Sequence, residues 1–373
     1  MAPEDPAENP FEGLPFLGDL ARMLQGQGPL NWDAARQFAT SIATGGASEP
    51  NIDPLERIKL EQLARVADLQ VADVTGLPTS VTGRGVTVLP VTRGVWAQKA
   101  LEAYKPLFEG LAGALAPSDD EDDDELAAAG DPELQLFGGL MKMLSPMMLG
   151  MAAGSMAGHL AQRSFGQYDL PIPRPPSDEL LLVPATIDDF GREWSLPADD
   201  LRLWICLREI ATHTVVGVPH VRARLEEMLR AYVSGFRPDP NALESRLGQL
   251  EIDPTDPGTL QGLQSVLGDP EAILGAAQSP AQRELLPRLE ALVTVIVGYV
   301  DHVMDTVGGR LLGSYGMVTE ALRRRRVEAA PSDRFVGRLF GLEMTQAHYD
   351  KGEAFVQGVV ERAGDDALAR LWR

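Results

Sequence analysis

Apolar residues recur every three or four positions along most of this chain, the period of a helix with one buried face. The pattern predicts two short helices, FLGDLARMLQG and PLNWDAARQFATSIATGG, the second capped by Asn31 and stopped by Gly45 and Gly46. DPLERIKLEQLARVADLQVADVTGLP predicts a longer amphipathic helix, with Pro54 near its start and Leu55, Leu60, Leu63 and Val66 on one face. VWAQKALEAYKPLFEGLAGAL predicts another. Between these two, VTGRGVTVLPVTRG is rich in Val and Thr and broken by Gly and Pro. It predicts a strand or hairpin, confined to an edge by Pro90.

The second half is also helical in pattern. Thr186 is placed to cap IDDFGREW, and Ser195 to cap LPADDLRLWICLREIATHTVV, whose Asp199 and Asp200 suit a positive helix start. Gly217 and Pro219 end that helix, and Pro219 opens PHVRARLEEMLRAYVSGF. SPAQRELLPRLEALVTVIVGYVDHVMDTVG is apolar on more than one face and is expected at the centre of the fold. The fold class is therefore mainly α, with at most a minor β hairpin.

Two stretches depart from the amphipathic pattern. In FGGLMKMLSPMMLGMAAGSMAGHLAQ the charge-free run from Met143 to Gly158 is shorter than the ~20 residues a membrane span needs, and Pro146 interrupts it. No transmembrane span is expected. Gly150, Gly154 and Gly158 share one helix face, which predicts tight packing on a neighbouring helix or self-association of copies. SDDEDDDE, from Ser118 to Glu125, repels itself and predicts a solvated linker; it lacks the Gly-punctuated spacing of a calcium loop. The organisation expected is a disordered start (1–15), an N-terminal helical region (16–116), an acidic disordered linker (117–132), a Gly/Met-rich helical segment (133–170) and a helical C-terminal domain (171–373).

Composition narrows the function. The 373 residues carry 54 Asp and Glu against 33 Lys and Arg, a net charge of −21. That balance argues against nucleic acid as the main partner and leaves a protein or peptide partner of unknown identity. With Cys206 as the sole cysteine, neither an internal disulfide nor a cysteine-based zinc site can form. The acidic, Pro-rich MAPEDPAENPFEGLPF lacks the pattern of a signal peptide, so a cytoplasmic setting is expected.

The candidate chemistry lies in WICLREIATHTVVGVPH, from Trp204 to His220. An H-E-x-x-H helix puts two histidines one turn apart on zinc, with the glutamate polarising the bound water. Here Arg208 and Thr212 hold the histidine places and Glu209 keeps its own, while His213 follows one position late. One step along a helix rotates a side chain by about 100°, so His213 cannot stand in for residue 212. Glu209 and His213 are nevertheless one turn apart and could pair or hold a differently placed metal. Asp301 and Asp305 also share a face. They could converge with Glu209 and His213, or pair with a base such as Arg208. ALRRRRVEA is read as a solvated helix face.

These blocks have company. LREIATHTVVGVPHVRARLEEMLRAY, EIDPTDP, GYVDHVMDTVG, RRRRVEA, RLFGLEM and GEAFVQGVVERAG, in this order and spacing, resemble an actinobacterial family of zincin-like metallopeptidases. The upstream GPLNWDAARQ is similar to that family's N-terminal region. The resemblance implies a zincin-like helical C-terminal domain and hydrolysis of a peptide or amide bond by zinc-bound water. Glu209 would be the general base. It implies ligands at the positions of Arg208, Thr212 and, in a later E-G-[HY] block, Val297. Arginine stays protonated and valine has no lone pair, so zinc in that geometry would lack its ligands. Two readings stand: a metallopeptidase relative with His213 drawn into a relocated metal site, and a non-catalytic relative acting as a binding or scaffold protein.

Overall fold

The computed structural model describes residues 28–115, 132–238, 276–327 and 331–373. The expected disordered start, FLGDLARMLQG, nearly all of the acidic linker and EIDPTDPGTLQGLQSVLG lie outside the described residues. The fold is mainly α.

Helix α1 (Trp32–Thr44) begins where the Asn31 side chain accepts the Ala34 N–H at 2.9 Å and stops where Gly45 turns left-handed at φ 61°. It lies along α4 (Pro132–Arg163), which runs through Pro146 as one helix. The glycine face makes the approach close. A methyl group on Gly158 would sit 2.7 Å from Ile42 Cβ, and methyl groups on Gly150 and Gly154 would overlap the Asn31 and Ala35 carbonyl oxygens. That face is thus occupied by α1 of the same chain, and contact between copies there would require α1 to leave.

Helix α2 (Pro54–Thr75) is capped by Asp53, and its buried stripe keeps only Leu60 and, in part, Leu63 of the leucine face expected. Leu60, Ala64, Ala67 and Val71 turn inward, while Leu55 and Val66 are exposed. Small alanines allow close packing on α6, and leucine spacing could not reveal this. Helix α3 (Arg93–Leu115) buries Trp96, Tyr104 and Phe108 against α1, α4 and α7. The Val/Thr segment supplies β1 (Thr87–Pro90), which pairs in parallel with β2 (Glu179–Leu182), not with a neighbour in a hairpin. Its partner comes from a Pro-rich stretch some ninety residues on, a distance that local pattern cannot bridge.

Helix α5 (Pro184–Glu193) starts ahead of Thr186, whose hydroxyl instead accepts a hydrogen bond from Arg93 Nε at 3.0 Å. Helix α6 (Ala198–Gly217) starts after Pro197, and Ser195 sits in the preceding turn at φ 53°. Proline sets the boundary in both places: its fixed φ suits the edge of a helix and it has no N–H to leave unpaired. Helix α7 (Pro219–Val233) follows, and β3 (Arg237–Pro238) pairs antiparallel with β4 (Ala276–Ala277).

Helix α8 (Pro280–Leu311) opens with a capping box between Ser279 and Gln282. By length and composition it could cross a membrane, but 56% of its most apolar window is buried inside the protein. It packs on α2, α6, α7 and α11 (Gln346–Ala363), the central place its pattern predicts. Gly298 and Gly352 let α8 and α11 touch; a methyl group on Gly298 would lie 2.5 Å from the Gly352 carbonyl oxygen. Helices α9 (Tyr315–Val327) and α10 (Pro331–Leu339) and a terminal 3-10 turn (Asp365–Trp372) complete the structure. One hydrophobic cluster runs from Leu30 to Trp372.

Candidate functional site

Helix α6 is buried on nearly every side from Leu201 to Val216, so its polar residues are held inside the protein. Glu209 is 2% exposed. The segment linking α4 to β2 crosses it closely, because Gly166 lacks a side chain: a methyl group there would lie 2.6 Å from the Glu209 carboxyl carbon. The Gly166 carbonyl is fixed by the Trp96 indole N–H at 2.8 Å. Two residues on, the Tyr168 N–H donates to Glu209 Oε2 at 2.8 Å. Arg208 Nη1 approaches the other oxygen, Oε1, at 3.4 Å and the Tyr168 carbonyl at 3.4 Å. Burial is the largest influence on Glu209 and pushes its carboxyl up to about 7, against the pull of Arg208 and of the Tyr168 N–H.

His213 does not meet Glu209. Its Nδ1 bonds the Tyr168 hydroxyl at 2.8 Å, so Tyr168 binds Glu209 with its backbone and His213 with its side chain. Burial holds His213 below the ordinary histidine range, and Arg222 pushes the same way, against Asp178, the Ser177 backbone and Asp68. Burial also raises the Tyr168 phenol to about 12, which leaves it a neutral hydrogen-bonding partner at physiological pH.

The three positions where the family resemblance places ligands do come together. Arg208, Thr212 and Val297 line one cavity of about 180 Å³ between α6, α8 and α9. The Thr212 hydroxyl is turned back to the Arg208 carbonyl at 2.8 Å. Asp301 lines this cavity, Asp305 does not, and each has a partner other than Arg208. Asp301 is held by both Arg326 nitrogens at 3.1 and 3.2 Å, and Asp305 accepts from the Tyr315 hydroxyl at 2.5 Å. Neither bonds Arg208, and neither joins Glu209 and His213 in a cluster. The basic run on α9 is only half solvated. Arg323 and Arg324 are exposed, whereas Arg325 lies 3.7 Å from the Phe165 ring centre and Arg326 reaches Asp301.

The donor set does not suit zinc. Four ligands make a structural site and three make a catalytic one, but the convergent positions here hold a guanidinium, a hydroxyl committed to a carbonyl, and a valine. Among the described residues no three of His, Cys, Asp and Glu are grouped to hold a metal ion. Cys206 is fully buried, with its thiol raised to about 12 by burial.

Residues 30–373 match the family model described as zincin-like metallopeptidase. The chain belongs to that family. Among solved structures it is similar to a "putative hydrolase with a novel fold" from Chloroflexus aurantiacus, at 23% identity and a TM-score of 0.56, over 92% of this chain and 91% of that one. At that identity the likeness speaks to fold alone. No curated protein matches the chain.

The residues that sequence reasoning missed are Tyr168 and Gly166. They sit in an irregular connection with no periodicity, and nothing in GQYD marks them as partners of a helix some forty residues on.

Proposed function

We propose that this member of the zincin-like metallopeptidase family is a non-catalytic binding protein, with the Arg208 guanidinium standing where relatives would hold the metal. The observation that carries this reading is the state of Glu209. Its two oxygens are engaged by the Tyr168 N–H and by Arg208, and the surrounding ligand positions cannot coordinate. A second reading, a hydrolase of peptide or amide bonds, is favoured by one observation: the Glu209 carboxyl, raised to about 7 by burial, has the affinity for protons that suits a general base. In that case His213 would have to leave Tyr168 to reach a metal.

Metal content separates the two. Tag-free protein is soaked with zinc, desalted and measured by mass spectrometry. The binding reading expects zinc far below one per chain. Close to one zinc per chain, lost in both Glu209→Ala and His213→Ala, would overturn it and direct attention to peptide hydrolysis.

A further inference from the structure

We propose that the cavity at the degenerate metal position binds the anionic oxygens of a carboxylate or phosphate group. The inference rests on the reading that Arg208 replaces the metal and adds the ligand's chemistry. Among the described residues five arginines line this cavity, at 163, 208, 325, 326 and 334, against the carboxylates of Asp169, Asp301 and Glu343. The lining is thus net positive, in a chain whose formal charge is −21. A local field of the opposite sign to the whole is what an anion site requires.

Arg208 has donors to spare. A guanidinium carries five N–H groups in a planar fork suited to two oxygens at once. Among the described residues only Nη1 is engaged, in two contacts of 3.4 Å, at the long end for a hydrogen bond. The side chain is 24% exposed, so its free edge is reachable. Its neighbours are held in place: Arg163 by Asp169 at 2.6 Å, Arg325 over Phe165, and Arg326 by Asp301. Fixed charges spare a ligand the cost of ordering them. A volume of about 180 Å³ suits a head group, not a whole drug-sized ligand. A second cavity of about 450 Å³ shares the walls Trp204, Asp301, Leu322, Arg326 and Tyr349 and would hold the rest of the molecule. Among the described residues the buried Trp204 indole N–H has no partner at that shared wall.

The test is calorimetric titration of the full chain at low salt. The probes are inorganic phosphate, acetyl-dialanine with its free carboxylate, and the same peptide amidated. Saturable binding of phosphate or of the free peptide is expected, with none for the amide, and the arm that binds names the source of the oxygens. Arg208→Leu should weaken it about tenfold or more, the loss of a charged hydrogen bond. Val297→Asp, on the half-buried wall of the same cavity, should weaken it similarly while leaving Arg208 in place. Arg224→Gln, on the exposed face of α7, should bind as the wild type does; circular dichroism and melting establish that each variant is folded. No saturable binding of either anion up to about 10 mM, or unchanged affinity in both cavity variants, would overturn the proposal. Absence of anion binding together with absence of zinc would sink this inference alone. One zinc per chain would sink the reading beneath it as well.

Discussion

Glu209→Gln separates two forces that meet on one carboxyl. Burial favours the protonated acid, whereas Arg208, 3.4 Å away, favours the carboxylate. Burial wins if the folded-state value is about 7, against an ordinary 4.5. The displacement is then about 2.5 pH units, and at about 1.4 kcal/mol for each the coupling is ~3 kcal/mol. As pH rises from 4.5 to 7, the unfolded chain releases this proton and the folded chain keeps it. The folded state binds more protons across that window, so stability falls as pH rises and the loss is complete above the folded value. His213 works the other way: held below 6.5, it gives stability that is present above 6.5 and lost as pH falls through its folded value. Glutamine removes the first effect and leaves the second. Urea unfolding of both proteins from pH 3 to 8 should therefore show the variant gaining about 3 kcal/mol on the wild type as pH rises from 4.5 through 7. A difference that stays flat would mean that Glu209 titrates normally. A difference that shrinks with pH would mean that the Arg208 ion pair dominates, and the reasoning from burial would be refuted.

Tyr168→Phe should cost about 1–3 kcal/mol in chemical denaturation by leaving His213 Nδ1 buried without its partner, and should shift the His213 ring resonances in nuclear magnetic resonance spectra while leaving the Tyr168 N–H bond to Glu209 intact. Gly154→Ala forces a methyl group onto the Ala35 carbonyl and should lower stability by about 1–3 kcal/mol in thermal or urea unfolding, whereas the same change at Gly113, where a methyl group meets nothing within 4 Å, should not. Arg202→Met leaves Glu56 and Asp188 without the guanidinium that each meets at 2.7 Å and should cost about 2 kcal/mol in urea unfolding.

Helix existence was legible because the buried faces repeat at helical spacing, and α1 and α8 carry their own caps. Two classes of feature were not legible. Boundaries set by proline outranked the Ser and Thr caps at 186 and 195, since a fixed φ constrains the backbone more firmly than one side-chain hydrogen bond. Contacts between distant segments left no local trace: the parallel pairing of β1 with β2, the alanine stripe of α2, and the crossing of Tyr168 over α6 all depend on a neighbour elsewhere in the chain. The candidate site divided along the same line. Resemblance named positions 208, 212 and 297, and the fold brings all three to one cavity. The partners of Asp301, Asp305 and His213 were beyond its reach, because each is satisfied by a residue that no motif spacing relates to it.

A buried glutamate on a buried helix is costly unless something compensates its charge. In a zinc enzyme the metal supplies that compensation. Here Arg208 supplies part of it from one side, and the Tyr168 N–H and partial protonation supply the rest. On the proposed reading Glu209 is a structural group held by these neighbours, with Gly166 making room for it. This arrangement also directs the positive charge of Arg208 to two places at once, Glu209 behind and the cavity in front. An anion entering the cavity would compete for Arg208, weaken its contact with Glu209 and so raise the carboxyl further. Ligand binding and proton uptake by Glu209 should then be linked, with tighter binding at pH 6 than at pH 8. Phosphate gains a second charge over the same range, so the carboxylate peptide is the cleaner probe. Equal affinity of that peptide at the two pH values, in a protein shown to bind it, would mean that Arg208 serves the cavity without answering to Glu209.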